Sequence, residues 1–345
     1  MPSATDWISG LSPWPEEFGL ENMRVLLAEL DNPERAFPSI HVVGTNGKST
    51  ATRTIAALLR AESMNVGAYT SPHVSGWHER LDATPDAFEA AVARVRRAAE
   101  KLNATQFETL TAAALADFAA RGVDAAVVEA GLGGRLDATN VIDARVVLLT
   151  NVGLEHTDVL GDTREEIARE KLAVAKPRAI VVLPDEEWRS LVPANDVRIG
   201  GAREAAEAFL GRAPARKDPD IALPGRLERR GPDEIRDGAH TPEGVTWLLE
   251  RLPDRDWIIV ASILGDKDVE SMLKLLRRAG GTLVATRSSN SRALDEKELA
   301  ARAEPYFDRV VPVFDPAQAL ATARQLGPVL VTGSLYLLAD LHGEG

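Results

Sequence analysis

From Ser39 onward, short β-branched runs alternate with helical stretches: SIHVVG, then STATRTIAALLRAES, then VGAYT, and later AAVVEAG and ARVVLLTNVG. Strands joined through helices cannot close tight hairpins, so the pattern predicts a mostly parallel sheet covered by helices. A helix from Phe107 to Arg121 stops at Gly122, before a strand from Val123 to Glu129. A helix around Thr163 to Ala175 and a strand from Ala179 to Leu183 follow. The stretch GRAPARKDPDIALPGR carries Pro214, Pro219 and Pro224 among charges and has no periodicity, which reads as a linker. Beyond it one strand ends at Asp237, and WIIVAS, GTLVAT, DRVVPV and PVLVTG alternate with helices after Thr241, Asp268, Asp295 and Asp315. The expected class is α/β: a P-loop NTPase-like parallel-sheet domain over residues 1–220, then a smaller Rossmann-like domain over residues 221–345.

Two cores agree with the length, since 345 residues exceed what one core ordinarily supports. The chain has no cysteine, which excludes disulfides and thiolate metal sites. No apolar run approaches the roughly 18 residues of a membrane span, and the N-terminal sequence lacks a basic flank followed by an apolar core, so a cytoplasmic enzyme with no membrane association is expected. The net charge of −12 argues against broad nucleic-acid binding and leaves room for a local basic pocket. No obligate protein partner is evident.

The chemistry begins at HVVGTNGKST, where Gly44, Thr45, Asn46, Gly47, Lys48, Ser49 and Thr50 lie between a strand and a helix. Glycines let backbone N–H groups approach phosphates, and the helix N-terminus adds positive potential. Lys48 can meet β/γ oxygens, and a hydroxyl from Ser49 or Thr50 can hold magnesium. Gly44 and Gly47 are only three apart, shorter than GxxxxGK[ST] requires, and a plain helix-capping glycine turn is the alternative.

GTNGK followed by hydroxyl residues resembles the nucleotide loop of Mur ligases and of folylpolyglutamate/dihydrofolate synthases. The likeness to the folate enzymes runs in order through TSPHVSGWHERL, FETLTAAALADF, EAGLGGRLDATNVI, EHTDVLGDTREEIAREKLAVAKP, LPGRLE, DGAHTPEG, GDKDVESML, SRALDEKEL and TGSLYLLADL. It implies an ATP- and Mg2+-dependent ligase that adds L-glutamate to dihydropteroate or a reduced folate through an acyl phosphate. By this likeness Ser71 and Glu129 are magnesium ligands, His156 holds a second magnesium, and Lys171 is a carbamylated lysine that also binds metal. Lys48, Glu129, His156 and Lys171 form the implied catalytic set. Arg226 reaches phosphate, while Asp237 and His240 position the nucleoside. Phe107 and Leu136, Asp137 and Ala138 contact the folate, with the aromatic face stacking on the pterin. Lys267 and Asp268 are further candidates, and His73 a possible pocket residue. The residues alone allow plainer readings: a solvent-facing Glu129, a capped or core His156, and a surface Lys171 paired with Glu166 or Glu170. His41, His78 and His342 carry no assigned role.

The chain departs from the family pattern at several points. GTNGKST stands for GTNGKGS, Glu155 precedes the histidine where the family has Asp, and Thr241 replaces the asparagine of DGAHNP. The segments after Leu81 and Leu183 are short, and the family's adenine-contacting asparagine is replaced near Glu204. Two rivals remain: a Mur-type ligase for another carboxylate and amino acid, and a switch protein that hydrolyses ATP without ligating. The double metal set argues against the switch.

Overall fold

The computed structural model describes residues 3–342 except 16, 217, 218, 220 and 222. The chain divides into two compact units, Met1–Ser71 with Trp77–Ile221, and Pro72–Gly76 with Ala222–Gly345. Part of the expected linker, residues 217, 218, 220 and 222, lies outside the described residues.

The first unit is built on six parallel strands: β1 (Ser39–Val43), β2 (Val66–Tyr69), β3 (Ala125–Glu129), β4 (Val146–Leu149), β5 (Ile180–Leu183) and β6 (Asp196–Ile199). Their order in the sheet is β2-β3-β1-β4-β5-β6. β1 sits centrally, in register with β3 (Val42 opposite Glu129) and with β4 (Val43 opposite Leu149). Side-chain alternation sorts the apolar residues cleanly. Ile40, Val42, Val127, Val146 and Leu148 face the helices Lys48–Arg60 and Ala202–Leu210. Val43, Val128, Val147 and Leu149 face the layer formed by Pro85–Lys101 and Gln106–Ala120. A sheet buried on both faces explains why its strands read as continuous apolar runs.

The second unit carries β7 (Glu228–Arg229), β8 (Glu234–Arg236), β9 (Ile258–Ala261), β10 (Thr282–Ala285), β11 (Arg309–Pro312) and β12 (Val329–Thr332), ordered β11-β10-β9-β12-β8-β7. The β7–β8 pair is antiparallel and the other strand pairs are parallel. The helices expected after Thr241, Asp268, Asp295 and Asp315 begin at those residues. Each side chain accepts a backbone N–H of the first turn, from Gly244, Ser271, Lys297 and Gln318 respectively. Among the described residues, no helix is long and apolar enough to cross a membrane.

Element ends shift slightly from the sequence reading. The helix expected from Phe107 starts at Gln106 because Thr105 and Glu108 form a capping box. The expected strand from Val123 begins at Ala125, and the expected helix Thr163–Ala175 spans Arg164–Leu172 with Thr163 as its cap. The short segment after Leu183 still holds β6, whose half-exposed DVRI lacks the apolar signature of a central strand.

β2 passes so close to the helix Gln106–Ala120 that a Cβ on Gly67 would lie 2.6 Å from the Phe118 ring. Gly67→Ala is therefore expected to destabilise the first unit by about 1–3 kcal/mol, read as a lower urea midpoint. An unchanged midpoint would show that the Phe118 ring can move aside.

Candidate active site

The loop after β1 is held open by its neighbours. Gly44 has φ +148°, and a Cβ there would fall 1.9 Å from the Thr150 hydroxyl, so only glycine fits. Asn151 O accepts from Thr45 N at 3.1 Å, and Asn151 Oδ1 accepts from Asn46 N at 2.8 Å. Gly153 N donates to Thr45 Oγ1 at 3.0 Å, and the Thr150 hydroxyl donates to Asn46 O at 2.7 Å. Thr150, Asn151 and Gly153 follow β4, which pairs with β1, so the parallel order itself brings this brace to the loop. The helix Lys48–Arg60 starts at Gly47, φ +78°, without a side-chain cap. Its first N–H groups are thus available to an anion, at the positive end of the helix dipole. Lys48 Nζ donates to Gly44 O (2.8 Å) and Thr45 O (3.1 Å), folded over the loop it would serve.

Glu129 ends β3 directly beside this loop, and it is only 1% exposed. The Ser49 hydroxyl donates to one carboxylate oxygen at 3.0 Å, and Ser71 N donates to the other at 3.1 Å. The expected pair Ser71 and Glu129 is therefore brought together, with Ser49 joining it. The solvent-facing reading of Glu129 is excluded. Among the described residues, no three His, Asp or Glu side chains converge as a closed metal cage. A carboxylate with the Ser49 hydroxyl beside it is an oxygen set that fits a hard divalent cation taking its remaining ligands from phosphates and water.

Lys171 is 1% exposed, so it is not a surface residue, and its pairing with Glu166 or Glu170 does not occur. Glu166 instead caps Thr163, and Glu170 pairs with Arg135 at 2.8 Å. Lys171 Nζ donates to Glu155 at 2.6 Å and to Gly44 O at 3.1 Å, the carbonyl that Lys48 also uses. Burial, together with the charge of Lys48, pushes the Lys171 amine below the ordinary lysine range despite the pull of Glu155. Burial works to raise Glu155, but the charges of Lys171 and Lys48 outweigh it and hold that carboxyl low. His156 is exposed, with φ +44°, at the start of the short helix Thr157–Leu160. It is not a core histidine.

The loop between β3 and β4 carries the expected acceptor residues. Its Gly131 faces the Phe107 ring so closely that a Cβ would lie 2.5 Å from Cζ. Phe107 is half-buried and tilted against Tyr69, ring centroids 6.1 Å apart. Leu136 is half-buried, while Asp137 and Ala138 are buried. Asp137 accepts from Leu132 N at 2.8 Å and from Thr139 N at 3.0 Å, and also takes a short bond from the Thr139 hydroxyl. Burial raises its pKa against these donors. Its carboxylate thus staples the loop closed.

In the second unit, Asp237 follows β8 and accepts from Leu227 N at 2.8 Å and Ala239 N at 2.9 Å. Burial raises its pKa, and the Arg226 charge opposes that rise. Arg226 donates to Gly225 O at 3.2 Å, and His240 Nδ1 lies 2.8 Å from Gly238 O. Asp268 is occupied as the cap of its helix, and Lys267 pairs with Asp266 at 3.5 Å. His73 belongs to the second unit through the segment Pro72–Gly76. Glu204 accepts from Gly201 N at 2.7 Å, so at the position of the missing asparagine the side chain serves as a helix cap.

Sequence reasoning missed Thr150, Asn151 and Gly153, and it passed over His41. The first three could have been found from TNVG directly after a strand; His41 gave no local signal.

Comparison with known proteins agrees with this architecture. Residues 42–209 match the Mur ligase middle domain, and residues 225–335 match the Mur ligase glutamate ligase domain. The dihydrofolate synthase/folylpolyglutamate synthase of Mycobacterium tuberculosis is 31% identical, over 86% of this chain and 81% of that protein. The Bacillus subtilis enzyme of the same name is 28% identical, over 98% of this chain and 97% of its own length. That alignment spans 421 positions against 345 residues here, so the relative carries segments this chain lacks. A structure of M. tuberculosis folylpolyglutamate synthase complexed with ADP and AMPPCP superposes with TM-score 0.85 at 28% identity, covering 94% of this chain and 96% of that one. Escherichia coli FolC in complex with DHPP and ADP gives TM-score 0.85 at 26% identity, covering 99% and 97%. A glycine loop braced between two parallel strands, a buried carboxylate beside it and a sequence likeness that runs through both units place this chain in the folylpolyglutamate synthase/dihydrofolate synthase family of Mur ligases.

Proposed function

We propose that the protein is an ATP-dependent ligase that adds L-glutamate to dihydropteroate, to a reduced folate, or to both. The observation that carries this reading is the buried Glu129, bonded to Ser49 of the phosphate loop and to Ser71, beside the uncapped helix N-terminus and Lys48. Relatives described with ADP, AMPPCP and DHPP support a nucleotide as a ligand. Ser49, Ser71 and Glu129 would hold magnesium, with His156 and Lys171 serving a second ion. The metal, when bound, neutralises phosphate charge.

In this reading the backbone N–H groups of Gly47–Thr50 and the Lys48 ammonium stabilise the charge that develops on the phosphates. An oxygen of the acceptor carboxylate attacks the γ-phosphorus, and ADP departs. The glutamate amine then attacks the acyl carbon, loses a proton, and phosphate leaves as the amide forms. Phe107 and the Leu136–Ala138 loop are the wall against which the acceptor ring system lies. Arg226, Asp237 and His240 are the nucleotide contacts of the second unit. Lys171, as an amine of lowered basicity, is chemically ready for carbamylation, which would turn a cation into an oxygen ligand.

The decisive assay measures ADP release against a panel of carboxylate acceptors, with and without glutamate. Glutamate-dependent turnover on dihydropteroate or tetrahydrofolate is expected. Turnover only on another carboxylate would favour a Mur-type ligase of different specificity, and glutamate-independent ATP hydrolysis would favour the switch. Lys48→Ala is expected to lower kcat by roughly 10²-fold or more in a folded protein. Near-normal ligation would remove the loop from the mechanism. Gly131→Ala should displace the Phe107 ring and raise the acceptor KM on the order of tenfold while the KM for ATP stays put. A parallel rise in both constants would detach Phe107 from the acceptor site.

A further inference from the structure

His41 lies on β1, three residues before Gly44, and is wholly buried. On its face of the sheet the strands otherwise contribute apolar residues such as Val43, Val128 and Val147. A buried imidazole there needs a partner. His41 Nε2 is 2.8 Å from Thr139 Oγ1, ninety-eight positions away in sequence. The Thr139 hydroxyl has one proton, and it is committed to Asp137 Oδ1. Asp137 receives further donors from Leu132 N and Thr139 N and acts as an acceptor throughout. The direction of the chain follows: His41 Nε2–H donates to Thr139, and Thr139 donates to Asp137. Nδ1 is then the unprotonated nitrogen, and it is buried with no protein partner. Burial, helped by the charge of Lys176, pushes the His41 pKa down to about 3, so the imidazole is neutral, and with its one N–H at Nε2 the bare nitrogen is Nδ1.

The far end of the relay fixes both sides of the acceptor loop. Asp137 ties Leu132 to Thr139, and Leu136, Asp137 and Ala138 lie between those anchors. A second brace runs alongside, with Lys176 Nζ donating to Asn140 Oδ1 at 3.0 Å and Asn140 Nδ2 donating to Arg135 O at 2.9 Å. The near end of the relay sits on the strand that leads directly into the phosphate loop. One strand therefore supports both the ATP-binding loop and the acceptor wall.

We infer that His41 is a positioning residue for the acceptor carboxylate's carrier: through Thr139 it sets Asp137, and so the Leu136–Ala138 wall, relative to the phosphate loop. The inference rests on the reading of that wall as the acceptor contact. It assigns His41 a role in substrate geometry, distinct from contact with substrate.

The test uses the full-length protein and four variants: His41→Leu, His41→Gln, Thr139→Val and the His41→Leu/Thr139→Val pair. A glutamine amide can donate from about the position of Nε2, whereas leucine cannot donate at all. His41→Leu and Thr139→Val are each expected to raise the acceptor KM on the order of tenfold, with the ATP KM within about twofold of wild type. His41→Gln should restore the acceptor KM to near the wild-type value, and the double variant should be no worse than Thr139→Val alone. Equal losses in acceptor and ATP constants, failure of glutamine to rescue, or additive effects would overturn the inference in favour of a purely structural histidine. If His41→Leu does not fold, the same expectations for His41→Gln and Thr139→Val decide the matter. Hydrogen exchange at the Leu132 and Thr139 amides gives a readout independent of activity. His41→Leu should accelerate exchange there and leave the β1 amides protected, even if the wild-type protein turns over no folate and the functional reading fails. Unchanged exchange at both amides would overturn the relay itself.

Discussion

Glu129 is a carboxylate with almost no access to water, held by a serine hydroxyl from the helix after β1 and a backbone N–H from the segment after β2. A buried anion is costly unless donors reach it, and the donors here come from places 58 and 80 residues distant in sequence. They meet because β3 lies between β2 and β1, with all three strands pointing the same way. The carboxyl ends of parallel strands gather loops on one edge of the sheet, and this edge is where an open α/β sheet ordinarily binds its ligand. The phosphate loop, its brace from Thr150–Gly153 and the Asp137 staple all emerge along that edge, after β1, β4 and β3. Slipping β3 against β1 or β2 would part Glu129 from these donors.

Charge at this edge is arranged in opposition. Lys48 and Lys171 converge on a single carbonyl, Gly44 O, and Glu155 is the carboxylate that compensates them. Burial lowers the basicity of Lys171 first, and the nearby Lys48 ammonium adds to that fall. Glu155 reaches the Lys171 amine from the residue before His156. The pair thus links the GLEHTD segment after β4 to the helix Arg164–Leu172.

The fold was legible in the sequence because a parallel sheet buried on both faces leaves unbroken β-branched runs, and helix starts carry their caps in plain view. Thr105, Thr163, Thr241, Asp268, Asp295 and Asp315 all cap the helices they precede. β6 was not legible: at the sheet edge it buries too little to need an apolar pattern. In the site, GTNGK and EAGLGGRLDATN were visible as motifs because glycines and charged residues are spaced within single loops. Gly44 and Gly131 are glycine for reasons that lie elsewhere in the chain, at Thr150 and at the Phe107 ring, and no local pattern announces such contacts. The surface reading of Lys171 failed for a related cause. Charge periodicity along Arg164–Leu172 suggests an exposed helix, yet the side chain turns inward to Gly44 O across 127 positions of sequence.

His41 marks the limit of reading by motif. A lone histidine inside SIHVVG reads as an ordinary strand residue, and its meaning depends on the direction of hydrogen bonds that only the fold creates. Once Thr139 is seen to donate to Asp137, the remaining choice at His41 is forced, because a hydroxyl that has given away its proton can only accept. The consequence reaches function through stiffness. A loop stapled at Leu132 and Thr139 presents Leu136 and Ala138 in one arrangement, and on the proposed function that arrangement sets the angle at which an acceptor carboxylate meets the γ-phosphorus.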